Sequence, residues 1–298
     1  MPEFDVTLLT DSRYINPTSQ TKYVRNILNE DAILQKALEA KGMKVTRKDW
    51  ADPAFDWATT RAALFHTTWD YFDRFYEFNR WLTQVSQDTT LINSSNIINW
   101  NIDKHYLSGL SKKGVHTVPT RFIPHGSGIS LAEHINMTGW RHAVIKPTVG
   151  GAGRHTHRIS EANLAEVAQY LTPVMNSEDF MLQPFQYSIE SEGELSLMVF
   201  GNEYSHAVLK KAKKGDFRVQ DDFGGTVHHH TASDTEIEFA LNAVAACPEL
   251  PAYARVDIIR DNDGDLAVSE LELVEPEMWF RLRPEAAELL AGEVGRRI

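Results

Sequence analysis

The chain has 298 residues, 42% of them hydrophobic, which is enough to bury a sizeable core in two or three packed lobes. Its 41 acidic and 30 basic residues leave a formal net charge of -11, so no long-range field draws a polyanion and no nucleic acid partner is expected, although an anionic nucleotide can still bind a locally basic pocket. The single cysteine, Cys247, has no internal disulfide partner, no apolar run approaches the roughly 20 residues of a membrane span, and the opening Met-Pro-Glu-Phe-Asp lacks a secretory signal, so the expectation is a cytoplasmic protein without membrane contact.

The first hundred residues alternate strand-like and helix-like patterns, as a small α/β layer does. Phe4 to Thr10 reads as a strand. Ile33, Leu34, Ala37 and Leu38 fall at helical spacing between Asp31 and Lys41, with Gly42 as a C-cap. Strands follow at Val45 to Asp49 and Ala62 to Phe65. Thr67-Thr-Trp-Asp70 has capping-box spacing and predicts an aromatic-rich helix through Val85. A short strand at Thr90 to Ile92 leads to a helix from Asn99 to Leu110, ending near Gly114. The domain boundary is placed close to Trp100, giving units 1–99, 100–182 and 183–298. Beyond it come a strand pair near Val144 to Lys146 and His155 to Ile159, a helix from Glu161 to Leu171, and strands at Met181 to Phe185 and Glu194 to Phe200. A helix from Thr235 to Ala246 and a hairpin over Tyr253 to Val274 follow.

In that hairpin Asp263-Gly264 signals a two-residue turn. With Asn262 opposite Asp265, counting outward sets Asp257 opposite Glu270 and Arg255 opposite Glu272, all on one face of the sheet. Like charges facing one another destabilise a sheet, so three carboxylates there need a reason, and a divalent cation supplies it. A solvated edge neutralised by Arg255 is the alternative.

Val144-Ile-Lys-Pro-Thr-Val-Gly-Gly-Ala-Gly153 runs a strand into a Gly-rich loop of the kind that lets backbone N–H groups approach phosphates. Its company is what carries weight: Lys104 upstream, Lys146 entering the loop, then Lys210, Arg218, Arg255 and the acidic hairpin. That order resembles the ATP-grasp superfamily, in particular its glutathione synthetase-like and ribosomal-protein-glutamate-ligase-like branches, from about residue 95 onward. The first lobe resembles the Rossmann-like domain that precedes it, and His66-Thr-Thr-Trp-Asp-Tyr71 is similar to an element of a small ligase group that includes D-cycloserine synthetase, with His66 in place of an arginine.

The resemblance implies an α/β protein with α+β lobes and an ATP-grasp fold. Lys104, Lys146 and the loop glycines Gly150, Gly151 and Gly153 would meet the nucleotide phosphates. Gln183, Pro184 and Phe185 would form a hinge whose backbone recognises adenine, and Glu194 would hold the ribose. Asp257, Glu270 and Glu272 would bind Mg²⁺, with Mn²⁺ as a substitute; the family motif is Glu-x-Asn, and Glu272 occupies the Asn position. Lys210, Arg218 and Arg255 would be the catalytic cations. The implied activity joins a small carboxylate to an amine through an acyl phosphate, releasing ADP, on an amino-acid-like substrate and in one molecule or two. A small-molecule kinase and a nucleotide-binding regulator without chemistry are the rival readings. His228-His-His230 on an extended chain points to alternate sides and reads as no chelate. Arg281 and Arg283 could bind a substrate carboxylate, with exposed ion-pair partners as the more ordinary reading. Oligomeric state is open in the sequence, with a homodimer as the default expectation.

Overall fold

The computed structural model describes residues 2–220 and 223–298. In chain order the elements are β1 (Phe4–Thr10), α1 (Lys22–Ala40), β2 (Val45–Asp49), β3 (Thr60–Thr67), α2 (Phe75–Asp88), β4 (Thr90–Ile92), α3 (Ser95–Asn101) and α4 (Tyr106–Lys112). There follow β5 (Arg121–Ile123), α5 (Leu131–Thr138), β6 (Ala143–Pro147), β7 (His157–Ile159), α6 (Leu164–Met175), β8 (Phe180–Pro184) and α7 (Ser188–Ser191). The last third holds β9 (Glu194–Phe200), β10 (Glu203–Lys211), β11 (Thr226–His230), α8 (Asp234–Ala245), β12 (Tyr253–Arg260), β13 (Leu266–Glu272) and α9 (Ala286–Gly295).

Among the described residues the strands form three sheets. The first is parallel, in the order β2-β1-β3-β4. Its central strands β1 and β3 are mostly buried, with helices covering both faces, while the edge strand β2 is polar and half-buried. Leu8, Leu34, Leu38 and Leu64 pack on one side with Leu290 and Val294 of α9, while Phe65, Phe78, Trp81 and Trp50 pack on the other. The α/β reading with a Rossmann-like first lobe holds, and the C-terminal helix that seals it was not anticipated. No helix among the described residues is long and apolar enough to cross a membrane.

The starts of α1 and α2 differ from expectation. The first helix begins at Lys22, because Thr21 caps it by accepting from the Val24 backbone, and Ile27 and Glu30 extend the buried stripe. The predicted cap at Thr67 is not one. Thr67 is still in β3, and Asp70 accepts instead from Trp50 Nε1 at 2.7 Å and Arg74 at 3.0 Å, so α2 starts only at Phe75.

The second sheet, β5-β8-β6-β7, is antiparallel and carries the Gly-rich loop between β6 and β7. The third is antiparallel, in the order β11-β10-β9-β12-β13. The segment from 99 to 114 is not one helix but α3 and α4, interrupted around Lys104. Although the sequence places Trp100 onward at the head of the central lobe, Ile97, Leu107 and Leu110 pack on the third sheet against Leu197, Val256 and Leu271. That packing brings Lys104 to the strands that carry the carboxylates.

Candidate active site

The last hairpin forms the floor of the site. Its loop is one residue longer than predicted: the Asp261 N–H donates to the Asp265 carbonyl at 2.8 Å, and Gly264 takes a φ of +93°. The ladder shifts between the Asp257–Glu270 and Ile258–Val268 pairs, leaving Ser269 as an extra residue on β13. The two displacements cancel, so Asp257 lies opposite Glu270 and Arg255 opposite Glu272, as expected. As the edge strand, β13 has its outer backbone groups held by side chains. Asn101 bonds Leu271 O and Leu273 N, both at 2.8 Å, the Tyr106 hydroxyl accepts from Leu271 N at 2.9 Å, and Asn93 donates to Leu273 O at 2.9 Å. These contacts fix Glu270 and Glu272 from behind.

Each floor carboxylate meets basic groups. Glu270 lies 3.2 Å from Lys104 Nζ and 3.5 Å from Lys146 Nζ. Burial alone would raise its pKa, but the two lysines hold it well below the usual carboxylate range. Asp257 is 3.1 Å from Lys210, takes Arg255 Nε at 3.0 Å and Nη2 at 2.9 Å, and accepts from Ser196. Against its burial, Arg255 and Lys210 keep it below its ordinary value. Glu272 shares Arg255, yet burial, aided by the Asp257 and Glu270 charges, pushes it up to about 7. Burial and the neighbouring Glu272 also push Glu275 well above the carboxylate range. Burial thus disfavours the charged forms of Glu272 and Glu275, while Asp257 and Glu270 stay ionised beside their cations.

Other expected groups line the same cavity of about 400 Å³. Gly151 and Gly153 have steric reasons to be glycine: a Cβ would come within 2.9 Å of Phe72 and 2.7 Å of Phe223 respectively, and Gly153 has φ +66°. The Lys104 ammonium donates to Gly150 O, tying the loop to the floor. Arg218 is gripped by Asp216, through Nε at 3.1 Å and Nη2 at 2.8 Å, and its guanidinium lies 3.7 Å from the Phe223 ring centroid. That pairing holds the Asp216 carboxyl down at about 2. Asp221 and Asp222 of this segment lie outside the described residues.

Two of the expected residues also bond other parts of the protein. The Phe185 N–H donates to His142 O and its carbonyl accepts from Asn262 Nδ2, each at 2.9 Å. Phe185 lines the cavity alongside Gln183 and Pro184. Glu194 contacts Lys210 at 2.6 Å and accepts from Ser269 Oγ at 2.6 Å, so it faces the cationic cluster.

The first lobe closes the cavity with Arg13, Tyr14, Tyr23, Trp69 and Phe72, and the segment after β13 adds Glu275, Glu277 and Trp279. Apart from Trp69, these were missed. Arg13 and Tyr14 follow the carboxyl end of β1, where ligands of parallel sheets bind, and that position was the available signal. Trp69 reaches across lobes, donating from Nε1 to Glu275 O at 2.9 Å. His66 does not line the cavity; it is buried, with Nδ1 2.5 Å from Asp31 Oδ1. Arg281 pairs with Glu30 and Glu277, and Arg283 with Glu285. His228 bonds Thr226 and His230 bonds Glu236.

Among the described residues no three His, Cys, Asp or Glu side chains form a ready metal cage. The donor set still suits Mg²⁺, which takes one or two carboxylates and completes its shell with phosphate oxygens and water. A divalent cation beside Glu272 would favour its ionised form, against the burial that raises it.

Residues 109–274 match the model of the RimK-like ATP-grasp domain, and residues 6–93 match the N-terminal domain of D-cycloserine synthetase DcsG. The cycloserine biosynthesis protein DcsG of Streptomyces lavendulae is 29% identical over 283 residues, covering 89% of this chain and 92% of that protein. The crystal structure of D-cycloserine synthetase DcsG superposes with a TM-score of 0.86 at 26% identity, over 98% of this chain and 99% of that one. A RimK domain ATP-grasp protein from Sphaerobacter thermophilus shares the fold, with a TM-score of 0.67 at 15% identity over 97% and 98% of the two chains.

Proposed function

The chain belongs to the RimK-like ATP-grasp family and is an ATP-dependent ligase of the carboxylate–amine class, and from this we propose that it activates the carboxylate of a small amino-acid-like substrate as an acyl phosphate and joins it to an amine. The observation that carries the reading is the convergence of Lys104 and Lys146 on Glu270, and of Lys210 and Arg255 on Asp257, in one cavity.

Lys104, Lys146 and the Gly150–Gly153 loop would receive the phosphates of ATP, with Val144, Pro184, Phe185 and Phe217 as an apolar bed for the base. Asp257, Glu270 and Glu272 would hold Mg²⁺, which when bound neutralises phosphate charge. Lys210 and Arg218 would offset the charge that builds on the transferring phosphoryl group. The substrate carboxylate oxygen attacks the γ-phosphorus, the bond to the β-phosphate oxygen breaks, and ADP departs. The amine then attacks the acyl carbon, Arg255 stabilises the oxyanion, and phosphate leaves with the former carboxylate oxygen. No protein nucleophile is needed.

Two features support a small substrate. The cavity of about 400 Å³ must also admit nucleotide, and the first lobe lines it with Tyr14, Tyr23 and Trp69, together with Glu277, rings and an acidic side chain suited to an ammonium group. Likeness over nearly the whole chain to a protein named D-cycloserine synthetase supports the same substrate class, with ring closure within one molecule as a variant. The test is an ADP-release screen with amino acids and dipeptides, singly and in pairs, in Mg-ATP. A small carboxylate that raises ADP release is the expected result; release that responds only to non-carboxylate acceptors would favour a kinase and overturn the proposal.

A further inference from the structure

We propose that Glu30, on α1 of the first lobe, is a positioning residue for the phosphoryl-transfer site, acting through Trp279 on Arg255 and Lys210. Trp279 lines the cavity and is 2% exposed, and it holds a left-handed φ of +51°, a conformation that bulky side chains rarely adopt. Its Nε1 is buried without a hydrogen-bond partner among the described residues. A fold that keeps both a strained backbone and an orphaned donor at one cavity residue is holding that residue for a purpose. The indole centroid lies 5.2 Å from the Arg255 guanidinium carbon and 5.9 Å from Lys210 Nζ, so the ring backs both cations that bind Asp257.

The backbone around Trp279 is gripped from two lobes. Glu30 is 2% exposed; its carboxylate accepts from Phe280 N at 2.7 Å and from Arg281 N at 2.9 Å, the two residues directly after Trp279. On the other side, His206 of β10 bonds Met278 O at 2.9 Å. Of these two grips Glu30 is the one supplied by the first lobe; it acts beside the local turn in which Leu282 N donates to Trp279 O at 2.8 Å, and so links docking of that lobe to the Trp279 ring and the guanidinium of Arg255.

The inference rests on the roles proposed above for Arg255 and Lys210, and its test carries a readout independent of turnover. In Glu30→Gln one oxygen becomes an NH₂ facing a backbone N–H, while size is kept. In Trp279→Gly the left-handed backbone is relaxed and the ring is lost. The Arg255 Nε–H proton resonance, assigned by its loss in Arg255→Lys, carries the ring-current shift of Trp279. Glu30→Gln should move that resonance in the same direction as Trp279→Gly, and should lower kcat about tenfold or more with KM for ATP changed by less than about threefold. The double variant should be no worse than Trp279→Gly alone. An unmoved Arg255 resonance in Glu30→Gln, or losses that multiply in the double variant, would overturn the proposal. Failure of the wild-type protein to release ADP would count against the proposed function instead, and the resonance would still decide the role of Glu30.

Discussion

The Lys104 ammonium stands 3.2 Å from Glu270 Oε1, joining the turn between α3 and α4 to the edge strand of the last sheet. Lys146 approaches the same carboxylate from the central sheet. A phosphate or Mg²⁺ entering here exchanges contacts within an existing charge network, without having to order a loose one.

Mg-ATP and ADP should therefore each raise the thermal unfolding midpoint, because both bind only the folded chain. At a hundredfold excess over Kd the gain is about 3 kcal/mol. Scanning fluorimetry with millimolar nucleotide and magnesium checks this; no shift with either would remove the nucleotide site.

Lys146→Ala should weaken ADP binding about tenfold or more, whereas Lys213→Ala, at an exposed position, should leave it nearly unchanged. Calorimetric titration of both variants separates the cavity lysine from the surface one. Equal losses would contradict the assignment.

Glu270→Gln should fold but lose turnover by about a hundredfold or more, with Asp265→Asn beside the loop as the unaffected control. The carboxylate-rich face invites the expectation that such a change stabilises the ligand-free protein. The geometry assigns that effect to a neighbour. Glu270 is balanced by two lysines and its loss strands them, while Glu272 is the carboxyl pushed up to about 7, so Glu272→Gln is the stabilising substitution above that pH. Urea denaturation of the two variants at pH 8 distinguishes them.

His206 gives a pH signature. Burial, ahead of the other influences, lowers its pKa from 6.5 to about 4, so between these values the unfolded chain binds the extra proton. Its contribution to stability is complete above pH 6.5 and is lost as pH falls toward 4, by about 3 kcal/mol at most. Glu272, raised from 4.5 to about 7, gives the opposite slope over much of the same window. The wild-type curve alone is thus ambiguous, and the difference between wild type and His206→Asn is the measurement. That difference should shrink on acidification from pH 6.5 to 4; a constant gap would show that His206 does not titrate as described.

The site was legible in proportion to how locally it was encoded. The alternation of β12 and β13 selected Asp257, Glu270 and Glu272, although the longer loop and the extra Ser269 were both unseen and happened to compensate. Helix α5 carries a full capping box, Ser130 with Glu133, a signal of its start that is local in the sequence. At Thr67 the same kind of pattern misled, because Asp70 was claimed by Trp50 and Arg74 from the tertiary structure. The cavity roof was harder to read. Tyr14, Tyr23 and Trp279 belong to segments distant in sequence, and no spacing rule links Glu30 to Phe280.

The central claim is that ATP activates a carboxylate as an acyl phosphate, and oxygen tracing tests it most directly. With the substrate found by the ADP-release screen labelled with ¹⁸O in its carboxylate, the account predicts one ¹⁸O in each inorganic phosphate released, detected by ³¹P NMR or mass spectrometry. Unlabelled phosphate alongside product, or AMP in place of ADP, would contradict it.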